Sequence, residues 1–402
     1  MATTGLHSST AVETPAGAVA EICQEVERAC RDLLSSSLRA VILTGSLARD
    51  EGSFLRNQHG WLLLGDADFL AVVDGGSVPG SVIDEIRRQS ISALRRHGIT
   101  AEIGIGIVAP EFFRKLRPHI FAYELRSCGR VIDGDATILS QIPAFTSEDI
   151  PRHDAFRLLA NRMIELLEPI AQLEPRSTHA PGLRYAIDKL YLDMATSLLV
   201  FYGQYAPTYS ERLERLRRLA ESASVSDAPF QLREFAERVA VCTESKLHPL
   251  ETEFSLDDLH QAIDCARALW QWELRRLRQE RQGFARVFGG SEMPACESFE
   301  QWLRGWLYVL RHEGWHRGWR QWSRWLRLCL KASPRYLVYS AACELFFVVP
   351  KIEQGGSLSL FAPLRDRIPL VEQASPGQAD DWRALAREIT HNYKELLVGT
   401  RS

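Results

Sequence analysis

Apolar positions recur at helical spacing from about residue 18 to 35, where Val19, Ile22, Val26, Cys30 and Leu33 line one side of a predicted helix. The pattern then changes period. "RAVILTG" reads as a buried strand ending in a Gly-Ser turn, "ADFLAVVD" as a second strand, and "SVIDEIRRQSISALRRHG" as a helix closed by Gly98. "ITAEIGIGIV" alternates as a third strand, and "RSCGRVIDGD" fits an edge strand. From Glu148 onward helical periodicity takes over, at about 153–169, 183–203, 209–223, 229–246, 256–285, 298–331 and 379–397. The expected fold is α+β, a small mixed sheet followed by an all-helical region. The expected divisions are a disordered segment 1–17, an α/β domain 18–145, a helical domain 146–290 and a Trp/Arg-rich helical region 291–402.

Composition narrows this picture little. An apolar fraction of 46%, a charged fraction of 25% and a formal charge of −3 describe a globular chain and select neither nucleic acid nor membrane as partner. Eight scattered cysteines show no metal-ligand spacing and read as reduced thiols. The start lacks the pattern of a secretion signal, and the most apolar run, "YLVYSAACELFFVV", is too short to span a bilayer and holds Glu344. A cytoplasmic location is therefore expected.

The candidate chemistry lies between residues 41 and 102. Asp66 and Asp68 stand two positions apart on one strand, so their side chains share a face with Cα atoms about 7 Å apart. Carboxylates that close repel unless a cation sits between them, and a hard divalent ion such as Mg²⁺ suits them. Glu102 lies on the neighbouring predicted strand and completes a candidate cluster. Gly45 and Ser46 end a strand and open a helix, where free amides meet anions. A phosphate cradle beside a carboxylate cluster is what nucleotidyl transfer requires.

These residues, "TGSLAR…GDADFLAVV…AEIGI", resemble the nucleotidyltransferase superfamily typified by DNA polymerase beta and the aminoglycoside nucleotidyltransferases. The resemblance covers about residues 36–110. It implies that Gly45 and Ser46 hold the β- and γ-phosphates, with Arg49 on the turn helix beside them. It further implies that Asp66 and Asp68 bind two Mg²⁺ ions and that Glu102 is a third ligand or the base for an incoming hydroxyl. Lys189 would reach the triphosphate from the helix "LRYAIDKLYLDMATSLL"; an i,i+4 pair with Asp193 is the structural alternative. Two departures stand out. The gap of twenty positions from Ser46 to Asp66 implies an inserted loop around "FLRNQHGWLLLG", and Gly65 stands where the family commonly has serine or threonine.

The activity implied is transfer of a nucleoside monophosphate, AMP first, from ATP or another nucleoside triphosphate to a hydroxyl of a small-molecule acceptor. A protein side chain or RNA end as acceptor, or a non-catalytic nucleotide-binding scaffold, are the alternatives. Six of ten tryptophans fall between Trp302 and Trp325, and seven Arg/Lys with two His face one acid, Glu313, over 301–331. Burial of the tryptophans is the favoured reading there, ahead of anionic-substrate, membrane or nucleic-acid contact. Arg311 and His316 match a ribonuclease-like spacing that an arginine-rich chain produces by chance. Acceptor identity and oligomeric state have no signature in the sequence.

Overall fold

The computed structural model describes residues 12–75, 78–173, 181–222, 227–250, 255–280, 299–313, 319–353, 361–370 and 381–400. The chain forms two compact units. The first comprises residues 1–151, 202–218 and 239–251; the second comprises 152–201, 219–238 and 252–402.

In the first unit, α1 (Pro15–Leu34) starts on a Thr14 side-chain cap and is followed by β1 (Leu38–Leu43) and the single-turn α2 (Gly45–Ala48). Next come β2 (Phe54–Asn57), β3 (Gly60–Val73), α3 (Gly80–Arg96) and β4 (Ile99–Val108). The short helices α4 (Glu111–Lys115) and α5 (Ile120–Cys128) then lead into β5 (Arg130–Gly134). Strand β3 is the spine of a mixed sheet. It pairs antiparallel with β2 and β1 and parallel with β4, while β5 adds antiparallel to β1.

The stretch expected as an inserted loop is a hairpin. Leu63 pairs with Phe54 and Gly60 with Asn57, so "WLLLG" lengthens β3 to fourteen residues. Its alternation of large apolar residues is a strand pattern, and Gly60, at φ +124, passes so close to the Gly98 carbonyl that no Cβ would fit.

The sheet is covered on both faces. Ala67, Phe69, Ala71 and Val73 of β3 pack with Ala101 and Ile103 of β4 against Ile22, Val26 and Cys30 of α1 and Leu94 of α3. The opposite face carries Leu70 and Val72, covered by Phe113 of α4 and Leu125 of α5. Glu25 of α1 and His97 at the end of α3 meet with Glu21, the imidazole Nε2 lying 3.2 Å from Glu21 Oε1 and 3.6 Å from Glu25 Oε1. Both oxygens of Glu25 also accept from Arg28, at 2.8 and 2.9 Å, so its charge is already met inside the protein. The seven described cysteines are free, and burial pushes the Cys30 thiol to about 12, which makes it a packing residue.

The second unit is helical. α6 (Arg152–Gln172) packs on α7 (Pro181–Phe201), α13 (Pro334–Glu353) and α15 (Trp382–Thr400), and α10 (Leu256–Glu280) packs on α6, α7 and α13. α8 (Tyr209–Glu221) and α9 (Leu232–Leu247) each straddle the two units. α11 (Phe299–Glu313), α12 (Trp319–Cys329) and α14 (Phe361–Arg365) complete it. Residues 314–318, including Trp315 and His316, lie outside the described residues, as do 1–11 of the segment expected to be disordered. Of the tryptophans in this region, Trp306 and Trp325 are buried and Trp302 and Trp322 are partly so. The indole N–H of Trp302 donates to the Cys329 carbonyl at the end of α12, that of Trp306 to the Ala332 carbonyl in the link to α13, and that of Trp325 to the Pro369 carbonyl. Among the described residues no helix is long and apolar enough to cross a membrane.

Glu273 of α10 sits in the core of this unit. Ser197 of α7 donates to its Oε1 at 2.5 Å, and its Oε2 has no partner among the described residues. Burial raises its pKa from 4.5 to about 8, with the Ser197 bond opposing. The unfolded chain therefore releases this proton at a lower pH than the folded chain. Its contribution to stability is full below about 4.5 and is lost as pH rises through about 8. The difference in unfolding free energy between wild type and Glu273→Gln should slope by up to about 1.4 kcal/mol per pH unit inside that window. Parallel pH profiles for the two proteins in urea denaturation would count against a buried neutral carboxyl.

Candidate active site

Alternation along β3 sends Asp66 and Asp68 to the face shared by Leu70 and Val72, with buried Ala67 between them pointing the other way. The helices α4 and α5 cover the C-terminal end of that face and leave both aspartates exposed. Asp66 is the parallel register partner of Glu102, and Asp68 that of Gly104. Glu102 is exposed between buried Ala101 and Ile103, so it occupies the same face as the two aspartates. The structure thus brings all three carboxylates to one face. They do not converge tightly. Among the described residues, the only His, Cys, Asp or Glu triple with ligand atoms all within 4.8 Å is Glu21, Glu25 and His97.

Two glycines shape the bed of Asp68. Gly45 has φ +66, and a Cβ there would lie 2.9 Å from Asp68 Oδ2. A Cβ on Gly104 would lie 2.4 Å from Oδ1. The carboxylate therefore fills space that only glycine leaves open on both sides. The corner is tied to the same strand through its backbone: Thr44 donates to the Asp68 carbonyl from its N–H at 2.8 Å and from its hydroxyl at 3.2 Å. Gly45 thus stands directly beside Asp68, with Ser46 next along the turn. Glu51 N–H closes the turn onto the Ser46 carbonyl at 2.9 Å.

The oxygen-only donor set suits a hard divalent cation. Among the described residues neither Asp66 nor Glu102 has an ion-pair or hydrogen-bond partner, although like charges on paired strands stand about 5 Å apart at Cα. A cation held between them would relieve that repulsion. The donor chemistry suits a divalent metal, while the three ligand atoms are not all within 4.8 Å of one another in this arrangement.

Arg49 faces inward. Its guanidinium is buried, donates to Glu51 Oε2 at 3.0 Å and to Glu124 Oε2 at 2.7 Å, and lies over the Tyr209 ring. Arg212 of α8 binds Glu124 Oε1 at 2.5 Å, the Tyr205 hydroxyl at 2.7 Å, and the Ala206 and Pro207 carbonyls at 2.7 Å. Burial raises the Tyr205 pKa, so its hydroxyl stays protonated and donates to Glu124. Lys246 of α9 is buried and donates to Ser53 Oγ at 2.6 Å and the Glu51 carbonyl at 3.2 Å. The segments 202–218 and 239–251 are thereby clamped onto the turn that carries Gly45 and Ser46.

The sequence pattern did not single out this network or Gly104. A buried arginine such as Arg212 has no periodic signature, although "GIG" after Glu102 marks a strand with unusual space beside it. Lys189 lies on α7 in the second unit, its ammonium over the Tyr185 ring at 5.6 Å. Asp193, offered as its ion-pair partner, accepts from Arg162 at 2.6 Å.

Neither family models nor curated proteins match this chain. Among solved structures it is similar to a spectinomycin adenyltransferase from Enterococcus faecialis, crystallised with ATP and spectinomycin. The TM-score is 0.38 at 15% identity, over 63% of this chain and 98% of that one.

Proposed function

We propose that the chain is a metal-dependent nucleotidyltransferase that moves a nucleoside monophosphate, AMP first among candidates, from a nucleoside triphosphate to a hydroxyl of a small molecule. The observation that carries this reading is Asp68 seated between Gly45 and Gly104, with Asp66 and Glu102 on its open face. A phosphate chain resting on Gly45 and Ser46 would lie directly against the carboxylates. A divalent cation held by Asp66, Asp68 and Glu102 would neutralise phosphate charge in the transition state. Glu102 on β4 would act either as the third ligand or as the base that takes the acceptor hydroxyl's proton as the oxygen attacks the α-phosphate and pyrophosphate departs. Arg49 serves by holding the turn through Glu51 and Glu124.

The test is incubation of the purified protein with each labelled nucleoside triphosphate, Mg²⁺ and a cell extract fractionated by size. Label should move to a small-molecule fraction with pyrophosphate released. Label on protein or RNA would replace the acceptor class, and no transfer with any nucleotide would sink the reading. Gly104→Ala supplies a sharper check, because its methyl group must displace Asp68 Oδ1. Transfer should fall by about a hundredfold while the melting temperature moves little. Full activity in that variant would mean that the Asp68 position is irrelevant to turnover.

A further inference from the structure

The outward side of α12 has no role in the core. Trp325 and Leu328 are buried, while Leu326, Arg327, Leu330 and Lys331 face out, the two leucines each 63% exposed. Leu326 and Arg327 on the last turn of α12, with Leu330 and Lys331 in the turn that follows it, thus make an exposed apolar and cationic end. Nearby, α11 presents Phe299, Leu303 and Leu307 at 69%, 40% and 36% exposure, spaced four residues apart along one stripe. The Trp302 hydrogen bond to the Cys329 carbonyl joins the two helices where Leu303 and Leu330 each follow a bonded residue. The charge on α12 and the turn after it is one-sided, since 319–331 holds Arg320, Arg324, Arg327 and Lys331 and no carboxylate, while on α11 the exposed Glu300 is paired with Arg304 at 2.7 Å. Arg324 is spent on the Arg365 and Ile368 carbonyls, which leaves Arg327 and Lys331 as the described cations turned outward.

We infer that this face of α11 and α12 docks onto an anionic phospholipid surface. Exposed leucines flanked by cations match a bilayer interface, where the apolar groups sink below the headgroups and the ammonium and guanidinium groups stay among the phosphates. A single-stranded nucleic acid would want open aromatic faces to stack on. Here Phe299, stacked on the half-buried Trp302, is the exposed ring among four exposed leucines, while the rings of Trp306 and Trp325 are buried and their N–H groups are committed to carbonyls, so the described face offers far more aliphatic than aromatic surface. The inference is independent of nucleotide transfer.

The experiment is co-sedimentation of the full chain with phosphatidylcholine vesicles made with and without phosphatidylserine. The protein should pellet with the anionic vesicles only. Leu326→Ser/Leu330→Ser and Arg327→Gln/Lys331→Gln should each weaken partitioning by about tenfold. Their thermal midpoints should stay at the wild-type value, since all four side chains face out. Three results would overturn the assignment. The first is wild-type pelleting by both double variants, or equal pelleting with neutral vesicles. The second is labelled single-stranded RNA bound in a manner that Arg327→Gln/Lys331→Gln abolishes and Leu326→Ser/Leu330→Ser does not. The third is a dimer in solution that the leucine variant disperses.

Discussion

Asp68→Ala and Asp66→Ala are each expected to reduce nucleotide transfer by roughly a thousandfold or more while leaving the fold intact. Both side chains are exposed on the open end of one sheet face, so neither contributes to the packed core. Removing one of three neighbouring carboxylates also lessens their mutual repulsion. Stability should therefore stay within about 0.5 kcal/mol of wild type. Pyrophosphate release and a thermal melt, measured on the same preparations, separate the two effects. Substantial turnover in either variant, or a collapse of the melt, would end the assignment of these residues to chemistry.

The largest effect on stability is expected at Arg212. It is buried and donates to Glu124, Tyr205 and two backbone carbonyls. Arg212→Ala leaves those acceptors buried with fewer donors, and losing one member of a buried ion pair typically costs about 3–5 kcal/mol. Arg212→Lys keeps the charge but cannot reach all four acceptors at once, so it should fall between wild type and alanine. The urea midpoint would report both. An alanine variant as stable as wild type would mean that the network contributes nothing net, which replacement of buried ion pairs sometimes shows.

The N-terminal strands were legible because their signals are local. Period-two alternation sets β4, and small residues after an apolar run set the Gly45–Ser46 corner. The side-by-side aspartates announced a shared face, and the parallel register of β3 with β4 then places Glu102 opposite Asp66. The hairpin at β2 and β3 was misjudged because a strand that crosses two neighbours in succession looks too long for one element. Helix α13 escaped detection for the opposite reason. It is apolar nearly all round, so it carries no amphipathic period by which to recognise a helix. Arg49 shows the limit of motif reasoning, since its position beside the corner suggested phosphate contact, whereas its guanidinium is turned to the buried Glu51 and the partly buried Glu124.

A practical corollary concerns where this protein can be cut. Arg212 and Lys246 belong to the same compact unit as Glu51 and Glu124, yet the polypeptide visits the second unit before supplying each of them. An excised piece stopping at Pro151 would leave Arg49, Glu51 and Glu124 lodged beneath a missing cover. Such a piece should express as an aggregation-prone species, whereas adding back 202–251 in trans offers a direct complementation assay for the missing lining.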